Sequence, residues 1–140
     1  MRYEFFEHEA DQGIRCYGET LAQAFENGAL ALFEVMCDTS KVEQKKTLQL
    51  SASAEDLESL FIEWLNELLS QKDIEGMMFS EFKVNITKKD KEYTLNAEAS
   101  GEPINIEKHG IKLEVKAATY AGLESGEKDG EKYFQCIVDV

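Results

Sequence analysis

Between Asp56 and Gly76 apolar residues recur at helical spacing without a gap: Leu57, Leu60, Phe61, Trp64, Leu65, Leu68 and Leu69. They follow the i, i+3, i+4, i+7, i+8, i+11, i+12 series that lines one face of an α-helix. A stripe filled this completely, and carrying a tryptophan, needs a broad apolar surface to bury against. The chain must therefore fold with this helix packed on a layer. Ser53, three residues before Asp56, suggests a capping arrangement at its start, and Asp73-Ile74-Glu75-Gly76 its end.

A second helix is expected from about Leu21 to Cys37. Thr20-Leu21-Ala22-Gln23 forms a capping-box pattern, and Leu21, Phe25, Ala29, Leu32 and Met36 recur every three or four residues behind it. Asp38-Thr39-Ser40 reads as its exit loop. Most other segments have a period of two. Short extended runs fall at Tyr3–His8, Gly13–Glu19 and Thr47–Ala52. Phe79–Thr87 and Glu92–Gly101 alternate around a turn at Lys88–Lys91, which predicts a hairpin. Ile111–Ala118 alternates Ile111, Leu113, Val115 and Ala117 against lysine and glutamate, an acidic loop is expected over Glu124–Glu131, and Tyr133–Val140 ends the chain as a strand. The order β-β-α-β-α-β-β-β-β bunches strands at the end, which disfavours a doubly wound parallel sheet. An α+β fold follows: two amphipathic helices packed on a largely antiparallel or mixed sheet, as one domain over residues 1–140.

The chain carries 28 Asp+Glu against 15 Lys+Arg, a net charge of −13, so it lacks the basic surface that direct nucleic-acid binding requires. Lys45-Lys46 and Lys88-Lys89 with Lys91 fall at strand ends or turns, as solvated loops would. Cys16, Cys37 and Cys136 form neither a CxxC pair nor an even disulfide set, and Cys16 and Cys136 read as small core residues. With no apolar run after Met1 and no stretch near the ~20 residues of a membrane helix, a reduced, cytoplasmic location is expected.

The densest polar cluster is Glu7-His8-Glu9-Ala10-Asp11-Gln12-Gly13. Its carboxylates are of the type hard cations such as Ca²⁺ require, although the EF-hand spacing is absent. The same residues also make an acidic β-turn, with Asp11 fixing the turn and Gly13 supplying an unusual φ. Asp139 lies one residue from Val140, pointing with Gln135 and Ile137 and away from Phe134, Cys136 and Val138. Lys116, in the small apolar run Val115–Tyr120, reads either as a strand's wet face or as a cation set against an acidic site. The sequence has no Gly-x-Ser-x-Gly, Walker A or Gly-x-Gly-x-x-Gly pattern. Of the two histidines, His109 reads as a surface turn residue.

Taken in order, these pieces resemble the archease family over essentially the whole chain. The resemblance rests on His8-Glu9-Ala10-Asp11, Gly13-Ile14-Arg15, Ala24-Phe25-Glu26-Asn27, Trp64-Leu65-Asn66-Glu67-Leu68-Leu69, Gly101-Glu102-Pro103, Lys108-His109, Val115-Lys116-Ala117-Ala118-Thr119-Tyr120 and Asp139-Val140. It implies an accessory factor and not an enzyme: an activator of the RtcB-type tRNA-splicing ligase that promotes guanylylation with GTP and multiple turnover. It also implies a site for calcium or another divalent cation at Asp11, Asp139 and Val140, and a role for Lys116 in activation. No direct nucleic-acid or membrane binding is expected, and the alternative is a general chaperone or modulator of RNA-modifying enzymes. Two positions depart from the family pattern: Glu9 stands where many members have Thr, and Ala121 where they often have His.

Overall fold

The computed structural model describes residues 2–140. The elements run β1 (Tyr3–His8), β2 (Asp11–Gly18), α1 (Leu21–Met36), β3 (Lys46–Ala54), α2 (Leu57–Glu75), β4 (Met77–Lys89), β5 (Glu92–Pro103), a short α3 (Ile106–His109), β6 (Ala117–Lys128) and β7 (Glu131–Asp139). Apart from α3, this is the expected order. The strands form two sheets, β1-β2-β7-β6 and β3-β5-β4, and every pairing is antiparallel. Among the described residues no helix is long and apolar enough to cross a membrane.

The two long helices form a layer between the sheets, with α1 packed on β2 and β4, and α2 on β3 and β6. Each helix must therefore be apolar on two sides, which the completeness of the α2 stripe reflects. Phe25 and Phe61 meet Phe134 of the first sheet at ring distances of 5.0 and 5.3 Å. Phe33 meets Phe79 and Phe82 of the second at 5.5 and 5.7 Å, and Trp64 stands edge-on to Phe82. The Trp64 indole N–H donates to the Phe25 carbonyl at 3.0 Å, joining the helices inside the core. Their close crossing depends on Gly28, where a Cβ would lie 2.6 Å from a ring carbon of Phe61 and 3.0 Å from Cys16 Sγ.

The helix ends follow local chemistry. Thr20 Oγ1 accepts from Gln23 N–H, and the Gln23 side chain accepts in turn from Glu19 N–H. Asp56, not Ser53, caps α2 by accepting from Ser59 N–H at 2.7 Å; Ser53 belongs to β3. Gly76 ends α2 in the left-handed conformation, φ 63°.

Three further expectations need correction. Residues 110–116 form no strand, and β6 begins at Ala117 and runs to Lys128 through the region expected as an acidic loop. The charges there suit an edge strand, since among the described residues β6 pairs with β7 alone and solvent takes its other side. A bulge between Thr119 and Glu124 folds Gly122 over Ile137 on the outward face. Finally, His109 is fully buried. All three cysteines are free and buried, so Cys16 and Cys136 are core residues as expected. Burial pushes the Cys136 thiol up to about 12 and is the largest cause of a similar upward shift at Cys16.

Gly28→Ala tests the two-sided packing. Alanine favours a helix interior by about 1 kcal/mol over glycine, whereas overpacking a core costs roughly 1–3 kcal/mol. The variant should lose stability by urea denaturation; a higher midpoint would mean the helices have room to separate.

Candidate functional site

The antiparallel register decides which polar residues meet. Gln12 lies opposite Val138 in the β2–β7 pair, so Asp11 and Asp139, one residue further out, end their strands side by side. Asp139 is also the partner of Ala117 on β6, and Lys116 N–H donates to the Asp139 carbonyl at 2.8 Å. Facing residues of this kind hold their Cβ atoms about 4.5–5.5 Å apart. Asp11, Asp139 and Lys116 thus gather at one end of the first sheet, and Val140 packs half-buried against the core beside them. Both carboxylates lie on the sheet face away from the helices, with Arg15, Gln135 and Ile137, while Ile14, Cys136 and Val138 face inward.

The β1–β2 turn places His8 opposite Asp11. Its left-handed residue is Glu9, φ 53°, and not Gly13. Gly13 is needed for space: a Cβ there would lie 2.3 Å from a ring carbon of Phe6. Among the described residues no three His, Cys, Asp or Glu side chains converge tightly enough to hold a metal ion by themselves. The all-oxygen donor set of Asp11 and Asp139 suits a hard cation, with backbone oxygens and water completing the shell. Among the described residues Lys116 makes no ion pair and is exposed. Ala121 sits exposed in the β6 bulge.

Lys116 is delivered by a belt, residues 104–116, that fastens the ends of α2, α1 and β7 together. Ile104 N–H donates to the Gly76 carbonyl at the end of α2. Past α3, Asp38 N–H donates to the His109 carbonyl, and Lys112 N–H to the Met36 carbonyl at the end of α1. Lys116 then bonds to Asp139. The belt is fixed at His109, a residue the sequence placed at the surface. Asn105 N–H donates to Nδ1 at 3.1 Å, so Nε2 carries the hydrogen and donates to Glu102 Oε2 at 3.0 Å. Glu102 is itself 4% exposed and also accepts from Glu43 N–H at 2.7 Å and from Lys108 Nζ at 2.9 Å. The Glu43 amide above all, then Lys108 and His109, hold the Glu102 carboxyl well below the usual carboxylate range. No spacing rule in the sequence links these residues, because the contacts join a loop, a strand end and a single helical turn.

The chain matches the Archease protein family (MTH1598/TM1083) over residues 3–140. It is 48% identical over 140 residues to the protein archease of Thermococcus gammatolerans and 46% identical to that of Pyrococcus abyssi, with 99% of both chains covered in each case. It also superimposes on the solution structure of Methanobacterium thermoautotrophicum protein 1598 with a TM-score of 0.87 at 43% identity, over 99% of this chain and 98% of that one.

Glu102 gives the fold a measurable acid sensitivity. A carboxyl held below its unfolded value, about 4.3, adds stability that is fully present above that value. The contribution fades as pH falls toward the folded value. Glu102→Gln should therefore lower stability at pH 7 and flatten its decline below about pH 5. Denaturant titrations from pH 7 to pH 2 check this, and parallel curves for the two proteins would contradict it.

Proposed function

The chain belongs to the archease family, and on that premise we propose that it is a metal-binding accessory factor that activates the RtcB-type tRNA-splicing ligase by promoting its guanylylation with GTP and repeated turnover. The observation that carries this reading is the meeting of Asp11 and Asp139 on adjoining strand ends, with Lys116 bonded through its backbone to Asp139. Asp11, Asp139 and an oxygen of Val140 are the groups that would hold calcium or another divalent cation. A bound cation supplies positive charge that offsets two carboxylates which otherwise repel. Lys116, exposed beside them, is placed to reach an acidic or phosphate group of the ligase.

In this role the chain needs no nucleophile of its own. Its acidic surface disfavours contact with RNA, so its effect passes through the enzyme. A general modulator of RNA-modifying enzymes would use the same residues less selectively, which an activation panel of several such enzymes separates.

Asp11→Asn and Asp139→Asn should each lower ion affinity and reduce ligase guanylylation rate at least tenfold with the melting temperature unchanged. Lys116→Ala should reduce activation while sparing ion binding. Radiolabelled GTP transfer to the ligase, measured beside calorimetric calcium titration, reads both. Full activation by the aspartate variants would refute the site; loss of ion binding in Lys116→Ala would make that lysine a structural partner of it.

A further inference from the structure

Among the described residues seven large apolar side chains are exposed: Phe5, Ile74, Ile104, Ile106, Ile111, Leu113 and Tyr120. Four of them, Ile104, Ile106, Ile111 and Leu113, lie within ten residues of one another on the belt, and Ile106 is 75% and Leu113 48% exposed. Ile74 joins them, because Gly76 two residues later accepts from Ile104 N–H. The belt holds these side chains outward by its own fastenings. Lys112 turns its ammonium onto Glu34 near the end of α1, and its neighbours Ile111 and Leu113 are 39% and 48% exposed. Leu113 is three residues from Lys116, a reach of at most about 10–11 Å along the chain. The apolar band therefore adjoins the Asp11–Asp139–Lys116 cluster on the same end of the molecule.

Charge narrows what can cover it. At this end Glu7, Glu9, Asp11, Glu107, Glu114 and Asp139 make no ion pair among the described residues, and neither does Lys116. An end with this imbalance repels RNA phosphates, and it repels a second copy of itself. A protein with a basic rim around apolar groups is attracted to it, and the nucleic-acid groove of an RNA-binding enzyme has such a rim.

We propose that the belt, with Ile106, Ile111 and Leu113 at its centre and the unpaired acids as its rim, is the surface on which the chain docks end-on against the ligase, the apolar contact holding the complex and the acids steering it. This rests on the functional reading above, and it assigns the binding energy to residues outside the ion site. Isolated exposed apolar residues need no explanation, but four of them within one ten-residue segment beside a charged cluster point to an interaction surface.

The test measures affinity of the full chain for purified RtcB-type ligase by biolayer interferometry, at low and high salt. Ile111→Ser with Leu113→Ser, and separately Ile106→Ser, should each weaken binding, the double variant at least tenfold. Calcium titrations should match wild type in each variant, and so should the melting temperature of Ile106→Ser, whose side chain is 75% exposed; the double variant, at side chains 39% and 48% exposed, should keep a cooperative melting transition. Lys88→Ser with Lys89→Ser, on the β4–β5 hairpin tip, should bind as wild type does, and added salt should slow association. Wild-type affinity in the serine variants would overturn the docking surface while leaving the activation reading standing. A wild-type chain that neither binds nor activates the ligase would remove that reading and this occupant together. Wild-type dimers that the serine substitutions disperse would instead make the belt a self-association face and overturn the proposal.

Discussion

The arrangement depends on a helix pair that is dry on two sides. The Trp64–Phe25 hydrogen bond is the clearest mark of it. An indole N–H left unpaired in a core costs about 1–3 kcal/mol, so a tryptophan here requires a carbonyl at a fixed distance. α1 supplies one from its second turn, where Phe25 also sends its ring to Phe61 and Phe134. Two helices joined in this way, and crossing closely over Gly28, act as one slab. Each sheet then has a fixed face to pack on.

From that slab the position of the polar end follows. Both long helices finish on the side where β2 begins and β7 stops, because the belt ties Gly76, Met36 and Asp139 in turn. The carboxylates of Asp11 and Asp139 owe their proximity to strand register and not to a loop. A slip of one residue between β2 and β7 would put them on opposite faces of the sheet. The apolar inward row of Ile14, Cys136, Cys16, Phe134 and Val138 prevents that slip. Core composition thus sets where two carboxylates outside the core meet.

The same distinction explains what could be read from the sequence. Both long helices, the β4–β5 hairpin and the element order follow from periodicity, which reports burial on a regular face. The family was legible as well, through an ordered set of short motifs spread over the whole chain. Ile111–Val115 has the alternation of a strand yet pairs with no strand, since periodicity records side-chain pattern and not the presence of a neighbour. β6 shows the converse: an edge strand carrying Glu124, Glu127 and Lys128 looks like a loop, because only one of its sides is paired. His109 was missed for a different reason. A histidine after Asn-Ile-Glu-Lys carries no local sign that Glu102, Glu43 and Asn105 will close around it. Asp11 and Asp139 could be named as partners through resemblance alone. Their meeting is a property of the register, which composition does not report.

Glu102 and the belt also bear on how such a domain can present apolar residues without collapsing onto them. A free segment with the sequence Ile-Asn-Ile-Glu-Lys-His-Gly-Ile-Lys-Leu would bury its own side chains or those of a neighbour. Here its polar members are committed elsewhere: His109 and Lys108 to Glu102, Lys112 to Glu34, and three backbone amides to the ends of α2, α1 and β7. With those positions pinned, Ile106 and Leu113 stay 75% and 48% exposed, while Ile104 and Ile111 are partly covered. A surface held open in this way loses little conformational entropy when it is covered, because ordering the chain has already been accomplished by folding. The buried carboxylate is thus joined to the exposed apolar band by a chain of specific hydrogen bonds, and the rigidity of one is the condition for the availability of the other.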